Sequence, residues 1–175
     1  MKKWLIIIFG LVGLDQLTKY LVMQNFTVEG DTFPVIDGFF HFTYIRNSGA
    51  VFGLFQGLAE TYVIFLIIIS IALAIFGYLF FKTDLSDKKL FWYNLALALL
   101  IAGAFGNAFD RIFQFDHNVV DFIDFRGIWS YVFNIADICL NVGIALFIFD
   151  QFILEPKRTR VAKEQKALKE EVINE

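Results

Sequence analysis

Between Gly103 and Asp137 the chain carries Asn107, Asp110, Arg111, Asp121, Asp124, Asn134 and Asp137, flanked by apolar runs on both sides. Polar and charged groups beside hydrocarbon are costly unless they are paired, so a cluster of them points to chemistry. Asp121 and Asp124 stand in the string VVDFIDF, and either can approach Asp137 in the apolar run that follows. Two close carboxylates do not comfortably ionise together; one pKa rises and the pair keeps a proton near neutral pH. Such a pair can activate a water as base and protonate a leaving amine as acid. Ser48 and Ser70 have no evident base, and Ser130 stands in no motif. His41 and His117 read as surface or interfacial histidines. A carboxylate-only metal site remains open, but no HExxH or EF-hand spacing supports one. Cys139 is the single cysteine and is expected to pack in its helix.

Spacing groups these residues. Gly103, Asn107 and Arg111 recur at i,i+4, with Asp110 three residues after Asn107, so one helix face carries them all. Gly103 and Gly106 permit close approach between helices. Alone, this face reads as packing with an ion pair at a helix end. Asn134 and Asp137 share a face at i,i+3, and Asn141 follows Asp137 by four residues. A polar contact between helices would account for the two asparagines. Asp137 needs more: a buried carboxylate must find a cation or share a proton. Asp15 and Lys19, also i,i+4, can pair.

These residues are held by a greasy chain. Of 175 residues, 58% are hydrophobic and 19% charged, and the mean hydropathy is +0.62. That composition indicates a single-domain integral membrane protein, and a net charge of −3 argues against nucleic acid as a partner. A span needs about 20 apolar residues. Four runs qualify, over about 4–22, 61–81, 90–109 and 131–149. The first follows Lys2 and Lys3 like a signal peptide, but its length, Asp15, Lys19 and the lack of an A-x-A site mark a retained helix. Residues 24–59 hold short β-prone pieces between glycines and are expected to form a small β subdomain. A second loop covers about 112–130. Pro156 is expected to end the fourth helix, with 156–175 a charged tail that is frayed or lies on the surface. The expected fold is mainly α, with four transmembrane helices and a small extracytoplasmic β subdomain between helices 1 and 2.

Lysine and arginine set the orientation. The N-terminus, the 82–89 turn and the C-terminal flank are basic and fall on one side. The segments 24–59 and 112–130 carry only Arg46 and Arg126, with Arg111 at the edge. Both termini are therefore expected in the cytoplasm. The ionisable residues of the spans then converge near the outer leaflet, and helix 2 adds nothing polar. A transporter would spread polar residues through the membrane depth or break helices at its midplane. A membrane scaffold would leave Asp137 unexplained.

Five pieces carry a resemblance: DQLTK (15–19), NSGA (47–50), GAFGNAFDR (103–111), VDFID (120–124) and FNIAD (133–137). In this order, with four spans, the chain resembles the lipoprotein signal peptidases, also called signal peptidase II. The resemblance covers nearly everything but the tail. It implies an aspartic endopeptidase of the bacterial inner or cytoplasmic membrane that cuts prolipoproteins just before a lipid-modified cysteine. By that resemblance Asp121 and Asp137 are the catalytic acids, working without metal or organic cofactor. Asn47, Asn107, Arg111 and Asn134 match residues that hold substrate backbone or the acids. Asp15 and Lys19 match a supporting pair, Gly103 part of a close-packed wall, and Asp110 a structural partner. Asp124 does not match a catalytic acid. The implied partners are lipid-modified prolipoproteins and membrane lipids, and the expected state is a monomer. Two departures stand out: Val51, where many relatives carry a small residue, and the short 121–137 separation.

Overall fold

The computed structural model describes residues 1–49 and 61–174, with side chains through residue 170. Within these residues four helices are long and apolar enough to cross a membrane: Lys2–Asn25, Thr61–Lys82, Lys88–Phe113 and Ile135–Glu170. We label the helices α1 (Lys2–Asn25), α2 (Thr61–Lys82), α3 (Phe91–Phe113), α4 (Ile135–Phe149) and α5 (Glu155–Asn174), and the strands β1 (Thr32–Ile36), β2 (Phe40–Asn47) and β3 (Val119–Phe125).

Helix α3 is the axis of the bundle. It packs against α1, α2 and α4, and small residues make this possible. Ala96, Ala98, Ala102 and Ala104 are buried along it. Gly103 and Gly106 admit α4 so closely that a Cβ on Gly103 would stand 2.4 Å from the Ala136 carbonyl oxygen. Without water between them, helices in a membrane associate through such close packing rather than through hydrophobic expulsion. Helix α2 sits at the periphery, with Ile67, Ile68, Ile71 and Ile75 exposed, a surface suited to lipid.

The sheet is antiparallel in the order β1-β2-β3. Pro34, which has no N–H to donate, stands on the edge strand β1 opposite His41. The expected 112–130 loop contains a strand, β3, which completes the sheet begun by 24–59. Pairing runs His41 to Asp124 and Phe42 to Ile123, then Ile45 to Asp121. Three steps on β2 therefore oppose two on β3. This bulge re-aims the β2 side chains beyond it, a common device beside functional sites. Part of the expected β subdomain, 50–59, lies outside the described residues, as does Val51.

Two expected boundaries move. Helix 4 begins at Ile135 rather than 131, because Phe133 is drawn out to bridge β3: its N–H donates to Ile123 O at 3.1 Å and its carbonyl accepts from Ile123 N at 2.7 Å. Nor does Pro156 end the helix. A π-helical turn at Asp150–Leu154 precedes it and α5 continues through it. A widened turn absorbs the hydrogen bond that proline cannot make. Arg158 then folds back onto the fully buried Asp150 with bonds of 2.9 and 2.7 Å, so the start of the tail is anchored to the bundle.

Candidate active site

Asn134 caps α4. Its backbone is extended, its side-chain oxygen accepts from Asp137 N at 2.9 Å, and Asp137 Oδ2 accepts from Asn134 N at 3.2 Å. This reciprocal capping box satisfies donors that a helix start leaves open. It also places Asp137 on the first turn, where the helix dipole favours a carboxylate.

The Asn134 amide nitrogen points the other way. It donates to Asp121 Oδ1 at 2.7 Å, and approaches Asn107 Oδ1 at 3.1 Å and Val120 O at 3.3 Å. Asn47, at the end of β2, donates to the other Asp121 oxygen at 2.8 Å. Asn107, on α3, donates to Asp137 Oδ1 at 2.8 Å. Asp121 thus receives a side-chain amide on each oxygen and Asp137 on one, and Asn134 bonds both residues. Asp121 is 1% exposed, whereas Asp137 is half-buried. Burial, and next the charge of Asp137, push the Asp121 carboxyl up to about 7, against the pull of the Asn47 and Asn134 amides.

A buried ionic frame orients the amides. Lys19 lies 2.8 Å from Asp15 and 2.9 Å from Asp110, and it donates to Asn107 Oδ1 at 3.2 Å. An ammonium at that oxygen turns the Asn107 NH₂ toward Asp137. Asp15 accepts from Ala136 N at 2.9 Å, adding a carboxylate at the start of α4. Asp110 accepts from Val120 N at 3.1 Å, fixing the residue before Asp121. The frame also uses Gln16, a residue that helical spacing alone does not single out. Its amide reaches Asp110 at 2.9 Å, and Asp15 and the Gly106 carbonyl at 3.2 Å each. Its place between Asp15 and Lys19 in DQLTK was the available signal.

Asp124 is not part of this cluster. Three residues along a strand reverse the face, so Asp121 and Asp124 point apart. Asp124 accepts from Thr43 at 2.7 Å and pairs with Arg126 at 3.2 Å. Burial works to raise its pKa, but the Thr43 and Arg126 bonds outweigh it and hold the carboxyl below the usual range. His41 is buried against this side of the sheet rather than at the surface. Asn141 caps nothing in the site; its amide donates to Asp137 O at 2.8 Å. Arg111 is buried, with its guanidinium near Asn107 O at 3.4 Å. Among the described residues, no three of His, Cys, Asp or Glu stand where they could share a metal ion.

Two acids joined through one asparagine, one carrying a proton near neutral pH, have the parts for water activation and leaving-group protonation. Residues 7–153 match the family model described as signal peptidase (SPase) II. The chain is similar to proteins named lipoprotein signal peptidase. One, from Microcystis aeruginosa, is 43% identical, with 90% of this chain and 94% of the relative covered. Another, from Bacillus pumilus, is 44% identical, with 89% and 95% covered. A solved structure described as a bacterial membrane enzyme, at 35% identity, superposes with a TM-score of 0.76 over 87% of this chain and 94% of that one.

Proposed function

This chain belongs to the signal peptidase II family, and from that premise we propose that it removes signal peptides from bacterial prolipoproteins, with Asp121 and Asp137 as its catalytic acids. It is a multi-pass membrane peptidase. The proposal adds that cleavage falls on the N-terminal side of a diacylglyceryl-modified cysteine. It also places both termini in the cytoplasm, with the site near the outer leaflet of the inner or cytoplasmic membrane. The basic residues at the chain ends and in the 82–89 turn support that orientation. The proposal takes the protein to act as a monomer.

The observation that carries the reading is the bridge Asn134 makes between two acids of unequal burial, its side-chain amide donating to the Asp121 carboxylate and its backbone N–H to that of Asp137. Asp121, buried and titrating near 7, starts with the proton. Asp137, half-buried at a helix start and accepting two N–H groups, starts as base. Asp137 takes a proton from water while the water oxygen bonds to the scissile carbonyl carbon, and Asp121 gives its proton to the carbonyl oxygen. The resulting gem-diol collapses: Asp121 recovers a proton from a hydroxyl, Asp137 passes its proton to the departing nitrogen, and the C–N bond breaks. Both acids return to their starting states. Asn47, Asn107 and Asn134 hold the carboxylates in place, Gly103 keeps α4 close, and Arg111 offers donors to substrate backbone.

The test is cleavage of a diacylglyceryl-modified prolipoprotein by the purified protein, compared with the unlipidated precursor. Cleavage before the modified cysteine is expected, with the unlipidated form a poor substrate. Equal turnover of both forms would reject the lipid-dependent part of the reading.

A further inference from the structure

Helix α2 brings no charge to the site, yet it touches it through two aromatic residues one turn apart. The Phe65 ring centroid lies 5.0 Å from the Arg111 guanidinium carbon. Tyr62 stacks on His117 with centroids 4.2 Å apart and planes 14° apart. His117, held at φ +57, places Nδ1 2.9 Å from the Arg111 carbonyl oxygen. The Phe65 ring also lies against Gly49, where an added Cβ would stand 2.3 Å from the ring. Gly49 N donates to Asn47 Oδ1 at 2.7 Å, and the Asn47 amide holds Asp121. One ring therefore contacts both the segment that holds Asp121 and the cation beside the two acids.

Arg111 is only 6% exposed. Its Nη1 makes one long bond, and its Nε has no partner among the described residues. Its charged neighbours include Asp121 and Asp137. A buried guanidinium normally directs its five in-plane donors at acceptors. An aromatic face attracts the cation through its quadrupole and occupies none of those donors.

We propose that Phe65 is a positioning residue for the peptidase reaction: its ring holds the Arg111 guanidinium by the face and leaves the N–H edge free for a carbonyl oxygen of the substrate backbone. The proposal rests on Arg111 being a substrate-binding residue. Phe65 acts on the substrate through Arg111, so its loss weakens substrate binding more than it slows chemistry.

The experiment measures kcat and KM separately on a lipid-modified prolipoprotein, using the purified full chain. The variants are Phe65→Leu, Phe65→Tyr, Arg111→Ala and the Phe65→Leu/Arg111→Ala double variant. Phe65→Leu should raise KM on the order of tenfold, with kcat changed less than about twofold. Phe65→Tyr, which keeps the ring, should restore KM. In the Arg111→Ala background, Phe65→Leu should add no further loss, because the interaction it removes is already gone. Additive losses would overturn the proposal, as would a normal KM in Phe65→Leu beside an impaired Arg111→Ala. A normal KM in Arg111→Ala would overturn it differently, by removing Arg111 from substrate binding. If Phe65→Leu does not fold, Phe65→Met removes the ring while keeping bulk and takes its place in the cycle.

Discussion

The Asn134 amide nitrogen lies 2.7 Å from Asp121 Oδ1, so the residue that starts α4 holds the acid of β3. The same asparagine exchanges hydrogen bonds with Asp137 across the first turn. Strand and helix are thereby locked to one another through a single side chain, and the separation of the acids is set by a helix cap.

If both acids transfer protons, neither amide substitute can work. Asp121→Asn and Asp137→Asn should each lower kcat by about a thousandfold or more, with the purified variants still folded and unfolding in one cooperative transition. Turnover within tenfold of wild type in either variant would remove that residue from the proton-transfer steps.

The Asp121 carboxyl, raised from 3.8 to about 7, gives a signed pH dependence. The folded state binds this proton more tightly than the unfolded chain. The stability linked to the group is therefore complete below about pH 4 and is lost as pH rises through 7. Thermal unfolding in detergent between pH 5 and 8.5 should show a falling midpoint that flattens in Asp121→Asn. Activity that requires protonated Asp121 should also decline above about pH 7. An alkaline rise in both quantities would contradict the assignment.

Lys19 is the cation between Asp15 and Asp110, and all three are at most 1% exposed. Lys19→Met removes the charge and leaves two buried carboxylates without it, a loss of roughly 3–5 kcal/mol. The unfolding midpoint should drop steeply. A midpoint near that of wild type would mean that the carboxylates find another cation or take up protons at little cost.

Gly103 is a steric prediction. A methyl group there would meet the Ala136 carbonyl at 2.4 Å and Leu140 Cγ at 2.8 Å, pushing away the helix start that carries Asp137. Gly103→Ala should cost about 1–3 kcal/mol and lower kcat. Gly77, around which a Cβ would meet nothing within 4 Å, supplies the control: Gly77→Ala should leave both quantities near wild type. Equal effects at the two positions would show that helix propensity, not the α3–α4 contact, governs the change.

The sequence by itself determined the spans, because a membrane helix satisfies its own backbone and must be apolar for about 20 residues. It also determined which polar residues are unusual, since Asp15, Lys19, Asn107, Asp110, Arg111, Asn134 and Asp137 interrupt or bound those runs. Their i,i+3 and i,i+4 spacing follows from local helix geometry and is legible without coordinates. What lay beyond reach were contacts between segments distant in sequence. VVDFIDF does not state that β2 is its partner, nor that a bulge between Phe42 and Ile45 brings Asn47 to Asp121. Strand alternation would separate Asp121 from Asp124, but only once the string is known to be a strand. The amide of Asn107 has no preferred direction until Lys19 meets its oxygen from another helix. Phe65 stands in an uncharged run, and only the packing of α2 sets its ring beside Arg111. Short-range periodicity is written in the chain; the pairing of one carboxylate rather than another is decided by register and close packing, which exist only in the folded protein.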